Sequence, residues 1–151
     1  QIMQDGAPNE LYNHPNSLFV ASFVGTPQIN KLNCKVENAG DGLVLRCDKL
    51  VLPVPAELRE LLKLYVGGEV IIGIRPSELV MVPEGTGTLN GTVDSVEPLG
   101  DGFIVYLNVD GQVLVAKIAG GSTVIGKTMS LNIEPGKIHV FDARTEERLN
   151  K

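Results

Sequence analysis

The sequence predicts a mainly β protein built from small β-barrel lobes, with short helical segments at its N-terminal end. Three observations carry that prediction. Seventeen glycines and nine prolines punctuate the 151 residues at short intervals. Between them lie short runs rich in Val, Ile and Leu, the pattern of many short strands joined by tight turns. Two of those runs, around Gly40-Asp41 and Asp110-Gly111, read as hairpins in their own right.

Taken in chain order, the first 27 residues differ in character from the rest. Pro8-Asn9-Glu10-Leu11-Tyr12 reads as one helical turn, and residues 16–23 as a second, capped by Asn16 and stopped at Gly25. A boundary falls near residues 27–31. Residues 32–38 and 43–48 then form a hairpin about Ala39-Gly40-Asp41-Gly42. Cys34 and Cys47 stand equally far from the centre of that turn, so they face each other on one side of the pair. The sequence reads them as two small buried thiols rather than a disulfide, because two cysteines make no disulfide framework and no export signal opens the chain.

Pro55 to Lys63 is the best helix: proline suits its first turn, acids follow, lysine closes it, and Leu58, Leu61 and Leu62 form its apolar stripe. The longest apolar stretch, around Val70-Ile71-Ile72, is far too short to cross a bilayer. Residues 90–105 then repeat the strand–Gly-turn–strand plan of 33–45, which suggests two small β lobes. Residues 103–118 form the clearest hairpin: Phe103, Val105, Leu107 and Val109 alternate with Ile104, Tyr106 and Asn108 before Asp110-Gly111 turns the chain. Ile104 and Tyr106 leave its second face partly apolar, a face expected to be covered by another strand or a partner.

Candidate chemistry is sparse. Gly121 to Thr128 satisfies the bare phosphate-loop pattern G-x-x-x-x-G-K-[ST], but a phosphate loop needs a long helix after it, and Met129-Ser130-Leu131-Asn132-Ile133 alternates like a strand. A β turn is the reading there. Asp5, Glu10 and His14 fall in terminal loop surface; His139, between Ile138 and Val140, lines a strand face. Neither cysteine sits in the exposed glycine-bracketed turn that a nucleophile needs. The charge of −5, the absence of Trp and the few aromatic residues disfavour an OB-type nucleic-acid-binding module.

One resemblance spans nearly the whole chain. Gln4-Asp5-Gly6-Ala7-Pro8-Asn9-Glu10-Leu11-Tyr12-Asn13-His14-Pro15 and the run from Phe19 to Asn30, followed by Gly73-Ile74-Arg75-Pro76 and His139-Val140-Phe141-Asp142, resemble in order the C-terminal part of the ATP-binding subunit of sugar-type ABC importers, the maltose-importer ATPase family. Ser77 departs from the pattern, standing where that family usually has Glu, with Glu78 next. The resemblance implies that residues 1–27 are a remnant of the nucleotide-binding domain and linker, and that 28–151 are an OB-like TOBE regulatory domain. It implies no ATPase site, cofactor or metal in this stretch, and Mg-ATP in the full-length subunit. The implied partners are a second copy of the subunit, membrane permease subunits and a regulatory protein, at the cytoplasmic face of the membrane. Arg75, Glu78, Ile104 and Tyr106 are the candidate interface residues. The alternative within the same family is an oxyanion-binding domain of molybdate type, with donors from Gly120-Gly121-Ser122-Thr123.

Overall fold

The computed structural model describes residues 28–134 and 136–150, so the helical turns expected at 8–12 and 16–23, and Asp5, Glu10 and His14, lie outside the described residues. Ten strands follow in order: β1 (Asn30–Ala39), β2 (Gly42–Cys47), β3 (Leu50–Pro53), β4 (Glu69–Ile74), β5 (Leu79–Val82), β6 (Leu89–Leu99), β7 (Gly102–Val109), β8 (Gln112–Ile118), β9 (Thr128–Ile133) and β10 (His139–Asp142). They form two five-stranded sheets, ordered β10-β4-β1-β2-β3 and β5-β9-β6-β7-β8. The described residues divide correspondingly into two compact units, one of 28–73 together with 138–150, the other within Ile74–Lys137.

Each sheet contains three consecutive strands and a fourth that returns beside the first, which is a Greek key. The repeat reaches individual hydrogen bonds. In the first unit Val36 N–H donates to the Gly68 carbonyl, and Gly67 N–H to the Val36 carbonyl, at 3.0 and 2.8 Å. In the second, Val93 N–H donates to the Lys127 carbonyl and Gly126 N–H to the Val93 carbonyl, at 2.9 and 2.8 Å. Gly67 and Gly126 both have positive φ, 86° and 90°, a turn conformation that suits glycine just ahead of each returning strand.

The barrel expectation is corrected: the structure is mainly β, but both sheets are open, with distinct edge strands. Closure would require the two edges of a sheet to pair. In the first unit the outer edge of β10 is instead taken by the chain's own residues 147–150. Leu149 N–H donates to the Val140 carbonyl at 2.7 Å, Asp142 N–H to the Glu147 carbonyl at 2.8 Å, and Val140 N–H to Asn150 Oδ1 at 2.8 Å. An edge satisfied locally exposes no row of bare donors and has no need of a distant strand.

Both hairpins turn on two residues. Ala39 pairs with Gly42 around Gly40-Asp41, and Val109 with Gln112 around Asp110-Gly111, whose φ values of 50° and 91° belong to a type I′ turn. The helix expected over 55–63 is shorter and broken. A 3₁₀ turn (Ala56–Leu58) leads into one α turn, α1 (Arg59–Leu62), then a second 3₁₀ turn (Lys63–Tyr65). So short a segment is held by burial of Leu58 and Leu62 rather than by helix propensity, and it stops once they are seated.

Cys34 and Cys47 are joined by a disulfide, which corrects the reading of two free thiols. Their Cα atoms are 4.5 Å apart. That is the spacing of a non-hydrogen-bonded antiparallel pair, where facing side chains come closest. The expectation placed the pair opposite each other; register then put the sulfurs within bonding reach.

Candidate functional site

The residues of the sequence motifs prove to be structural partners. In the first unit His139 on β10 stands opposite Gly73 on β4, and Phe141 opposite Ile71. Phe141 packs with Ile29 and Ile71 in one buried cluster. Gly73 is required by that packing: a Cβ there would come within 2.8 Å of Ile29 Cδ1 and 3.0 Å of Phe141 Cε2. Asp142 closes the motif by accepting the backbone N–H groups of Arg144 and Thr145 on Oδ1, at 2.8 and 2.9 Å. Those two donors, Thr145 first, hold its carboxyl below the ordinary value of 3.8. His139 is 2 % exposed and lines a strand face.

Arg75-Pro76 opens the second unit. Arg75, 2 % exposed, precedes a 3₁₀ turn (Pro76–Glu78) in which proline takes the first position. Glu78 reaches back so that Oε1 accepts Arg75 N–H at 2.8 Å, while its own N–H donates to the Arg75 carbonyl at 2.9 Å. Glu78 therefore supplies the acid of this turn although Ser77 stands where a Glu was anticipated. The Glu78 carbonyl accepts Glu134 N–H at 2.8 Å, which ties the turn to the end of β9.

All four candidate interface residues lie in the second unit. Arg75 and Glu78 are buried in the turn, which packs against β8. Ile104 and Tyr106 sit on β7 opposite Lys117 and Val115 of β8. Ile104 is buried and Tyr106 half-buried, and on the same face Val113 is 60 % exposed. Sequence reasoning did not single out Val113, although its alternation with Leu114 placed it outward.

The Gly121–Thr128 stretch is a turn into a strand: the Gly126 N–H and the Lys127 carbonyl are both committed to Val93, and β9 follows at Thr128. Beside it lies a shallow cleft of about 250 Å³ lined by Met81, Ser122, Thr123, Lys127 and Ser130 among others. The Ser130 hydroxyl is occupied, accepting Gly85 N–H at 2.7 Å and donating to Asn90 Oδ1 at 2.5 Å. Val124 and Ile125 stand out to solvent at 66 % and 68 % exposure, although nothing in their local pattern marks them as outward. Among the described residues no group of three His, Cys, Asp or Glu side chains is placed to hold a metal ion, and no helix is long and apolar enough to cross a membrane.

Two Greek-key sheets, the second inserted in the sequence of the first, with buried motif residues, define a β module of OB and TOBE type, and comparison with known proteins agrees. A family model described as the MalK OB fold domain matches residues 25–79, and one described as the TOBE domain matches residues 72–141. The sn-glycerol-3-phosphate import ATP-binding protein UgpC of Chromobacterium violaceum is 36 % identical over 149 residues, 98 % of this chain and 39 % of that protein. UgpC 2 of Agrobacterium fabrum is 34 % identical over 151 residues, covering 98 % of this chain and 38 % of its own length. The K12 UgpC of Escherichia coli is 32 % identical over 147 residues, covering 97 % and 40 %. The chain thus spans about two fifths of the length of these relatives. A solved structure of the cytoplasmic molybdate-binding protein ModG, with molybdate bound, shares the fold at a TM-score of 0.52 and 17 % identity, over 74 % of this chain and 94 % of that one. The chain belongs to the TOBE/OB regions of ABC-importer ATP-binding subunits, of UgpC-like type rather than specifically of the maltose family. It corresponds to the non-catalytic part of such a subunit.

Proposed function

We propose that this chain is the pairing and control module of an importer's ATP-binding subunit, with a second copy of the same subunit as its partner. A stiff β body remote from nucleotide can hold two motor domains together while they open and close. The full-length subunit would bind Mg-ATP, dock on membrane permease subunits at the cytoplasmic face and energise uptake of a sugar or polyol, with a glycerol phosphate favoured over maltose by the relatives above. On this reading residues 1–27 belong to the end of the nucleotide-binding domain and its linker, 28–151 form the regulatory domain, and a regulatory protein is a further partner.

The observation that carries the reading is the pair of family matches running end to end over residues 25–141, across the two Greek keys. The proposed contact is the outward face of β7 and β8 around Tyr106, with Ile104, Val113 and Val115 beside it; the exposed Val113 supports this choice. Arg75 and Glu78 shape that unit from beneath, through the turn packed on β8. Light scattering of the chain across concentration is expected to show a dimer, and Tyr106→Ala to weaken it about tenfold or more, the effect of losing a central aromatic anchor. A monomer at every concentration, or an unaltered dimer in Tyr106→Ala, refutes the placement.

A further inference from the structure

The two Greek keys can be compared position by position. Val36 and Val93 occupy equivalent places, paired with Leu45 and Leu107. Two residues before each valine stand Cys34 and Gly91; two after each leucine stand Cys47 and Val109. In the second unit Val109 packs directly over Gly91, its Cγ2 reaching within 2.7 Å of the place a Gly91 Cβ would take. In the first unit the same place is filled by the disulfide. One chain therefore builds the same strand pairing once with a covalent bridge and once without. The second unit thus reaches this strand pairing with no bridge at the equivalent place.

We propose that the Cys34–Cys47 disulfide is a reversible redox brace on the first unit. The two sulfurs belong to the two cysteines of these 151 residues, so the thiol that opens the bridge comes from outside this stretch. Both cysteines are 1 % exposed. Cys47 nevertheless ends β2, next to the exposed Asp48-Lys49 turn and the four-residue edge strand β3. Opening that hairpin end, a local event far smaller than unfolding, uncovers the bridge to a small thiol. The inference rests on the function proposed above in one respect only: a subunit driven by ATP works in a compartment where glutathione and thioredoxin keep thiols reduced, and where a disulfide is more often a sensor than a staple.

The chemistry is a two-step exchange with glutathione disulfide. One protein thiolate attacks it, releasing one glutathione and leaving a mixed disulfide. The second thiolate then displaces the other glutathione. One S–S bond breaks, one forms, and the two electrons and two protons of the protein thiols leave with two molecules of glutathione. Excess glutathione drives the reverse.

The test equilibrates the whole chain in buffers of stepped glutathione to glutathione disulfide ratio, traps free thiols by alkylation for mass measurement, and follows urea unfolding in parallel. Two thiols are expected to appear together as the ratio rises through the cytosolic range. Over the same range the unfolding equilibrium constant of the first unit should increase about a hundredfold, the effect of opening a loop of this length. A Cys34→Ala, Cys47→Val double variant, shaped like the second unit, should behave as the reduced form at every ratio. A bridge that stays closed throughout, thiols that never pair, or an unfolding curve indifferent to the ratio would each overturn the proposal. None of these readouts depends on self-association, so their failure leaves the pairing reading standing, and an unaltered Tyr106→Ala dimer leaves the brace standing.

Discussion

Gly73→Ala isolates the contact on which the motif residues of β4 and β10 depend. Gly73 has no positive φ, so alanine is conformationally free to stand there, and its lower unfolded-state entropy alone would stabilise by about 0.4–1 kcal/mol. Against that, the added methyl would lie 2.8 Å from Ile29 Cδ1 and 3.0 Å from Phe141 Cε2, closer than carbon atoms tolerate. Ile29 and Phe141 are 4 % and 0 % exposed, so neither can swing into solvent without emptying the core. Overpacking of this kind costs about 1–3 kcal/mol. The balance is a net loss of up to about 2.6 kcal/mol, centred on about 1.3 kcal/mol, which is roughly 5–10 °C in the melting temperature of a unit this small. Differential scanning calorimetry of the chain should show the first unit's transition falling and the second's unmoved. Ile29→Val removes the nearer offending carbon. Alone it should cost about 0.5–1.5 kcal/mol, but together with Gly73→Ala it should recover much of the loss, a coupling that a double-mutant cycle reads directly. A neutral Gly73→Ala, or strictly additive effects in the cycle, refutes the argument that glycine is there to admit Ile29 and the Phe141 ring.

Residues 74–137 contain all five strands of the second sheet without interruption, so that fragment alone should give a β-type circular dichroism spectrum and a cooperative urea transition; a non-cooperative fragment contradicts the division into units. Asp142→Asn should differ from the parent chain only where the aspartate is ionised. Because N–H groups of Thr145 and Arg144 hold the folded carboxyl below 3.8, its stabilising contribution is fully present above that value and is lost as pH falls through the lower folded value. Urea midpoints of the two proteins should therefore stay a constant distance apart near neutrality and converge in acid; a gap that widens on acidification is the wrong sign. Glu78→Ala leaves the Arg75 N–H without its acceptor in a buried turn and should cost about 1–2 kcal/mol in the second unit's urea stability; an unchanged midpoint refutes the capping role.

Local signals in the sequence reached far. Asp110-Gly111 could be placed because few residue pairs accept two successive positive φ values, and the facing of Cys34 and Cys47 followed from counting outward from Gly40-Asp41. The similarity of 33–45 to 90–105 reflects a shared hydrogen-bonding scheme at Val36 and Val93. What was illegible depended on partners distant in sequence. Whether the sheets close is decided by what meets the outer edge of β10, and that is residues 147–150, whose composition carries no strand signal. The disulfide is set by the register that faces Cys34 and Cys47, which the number of cysteines and the lack of an export signal do not report. That the turn at Arg75 is buried against β8 was not readable locally, because the strand that covers it lies about forty residues further along the chain. Val124 and Ile125 are apolar yet outward, and only tertiary structure shows that no neighbouring strand receives them.

The residues of the second unit are inserted in the sequence between β4 and β10, and that order has a consequence for birth on the ribosome. When Gly73 emerges, the first sheet has four of its strands and must wait for the fifth. At ordinary translation speeds the intervening stretch takes roughly 3–13 s to synthesise. During that interval β4 is an unfinished margin, with Ile71 not yet met by Phe141, while the inserted unit can complete itself from contiguous residues. The outer body is the last to finish, and a nascent chain stalled anywhere in the inserted stretch leaves that margin open.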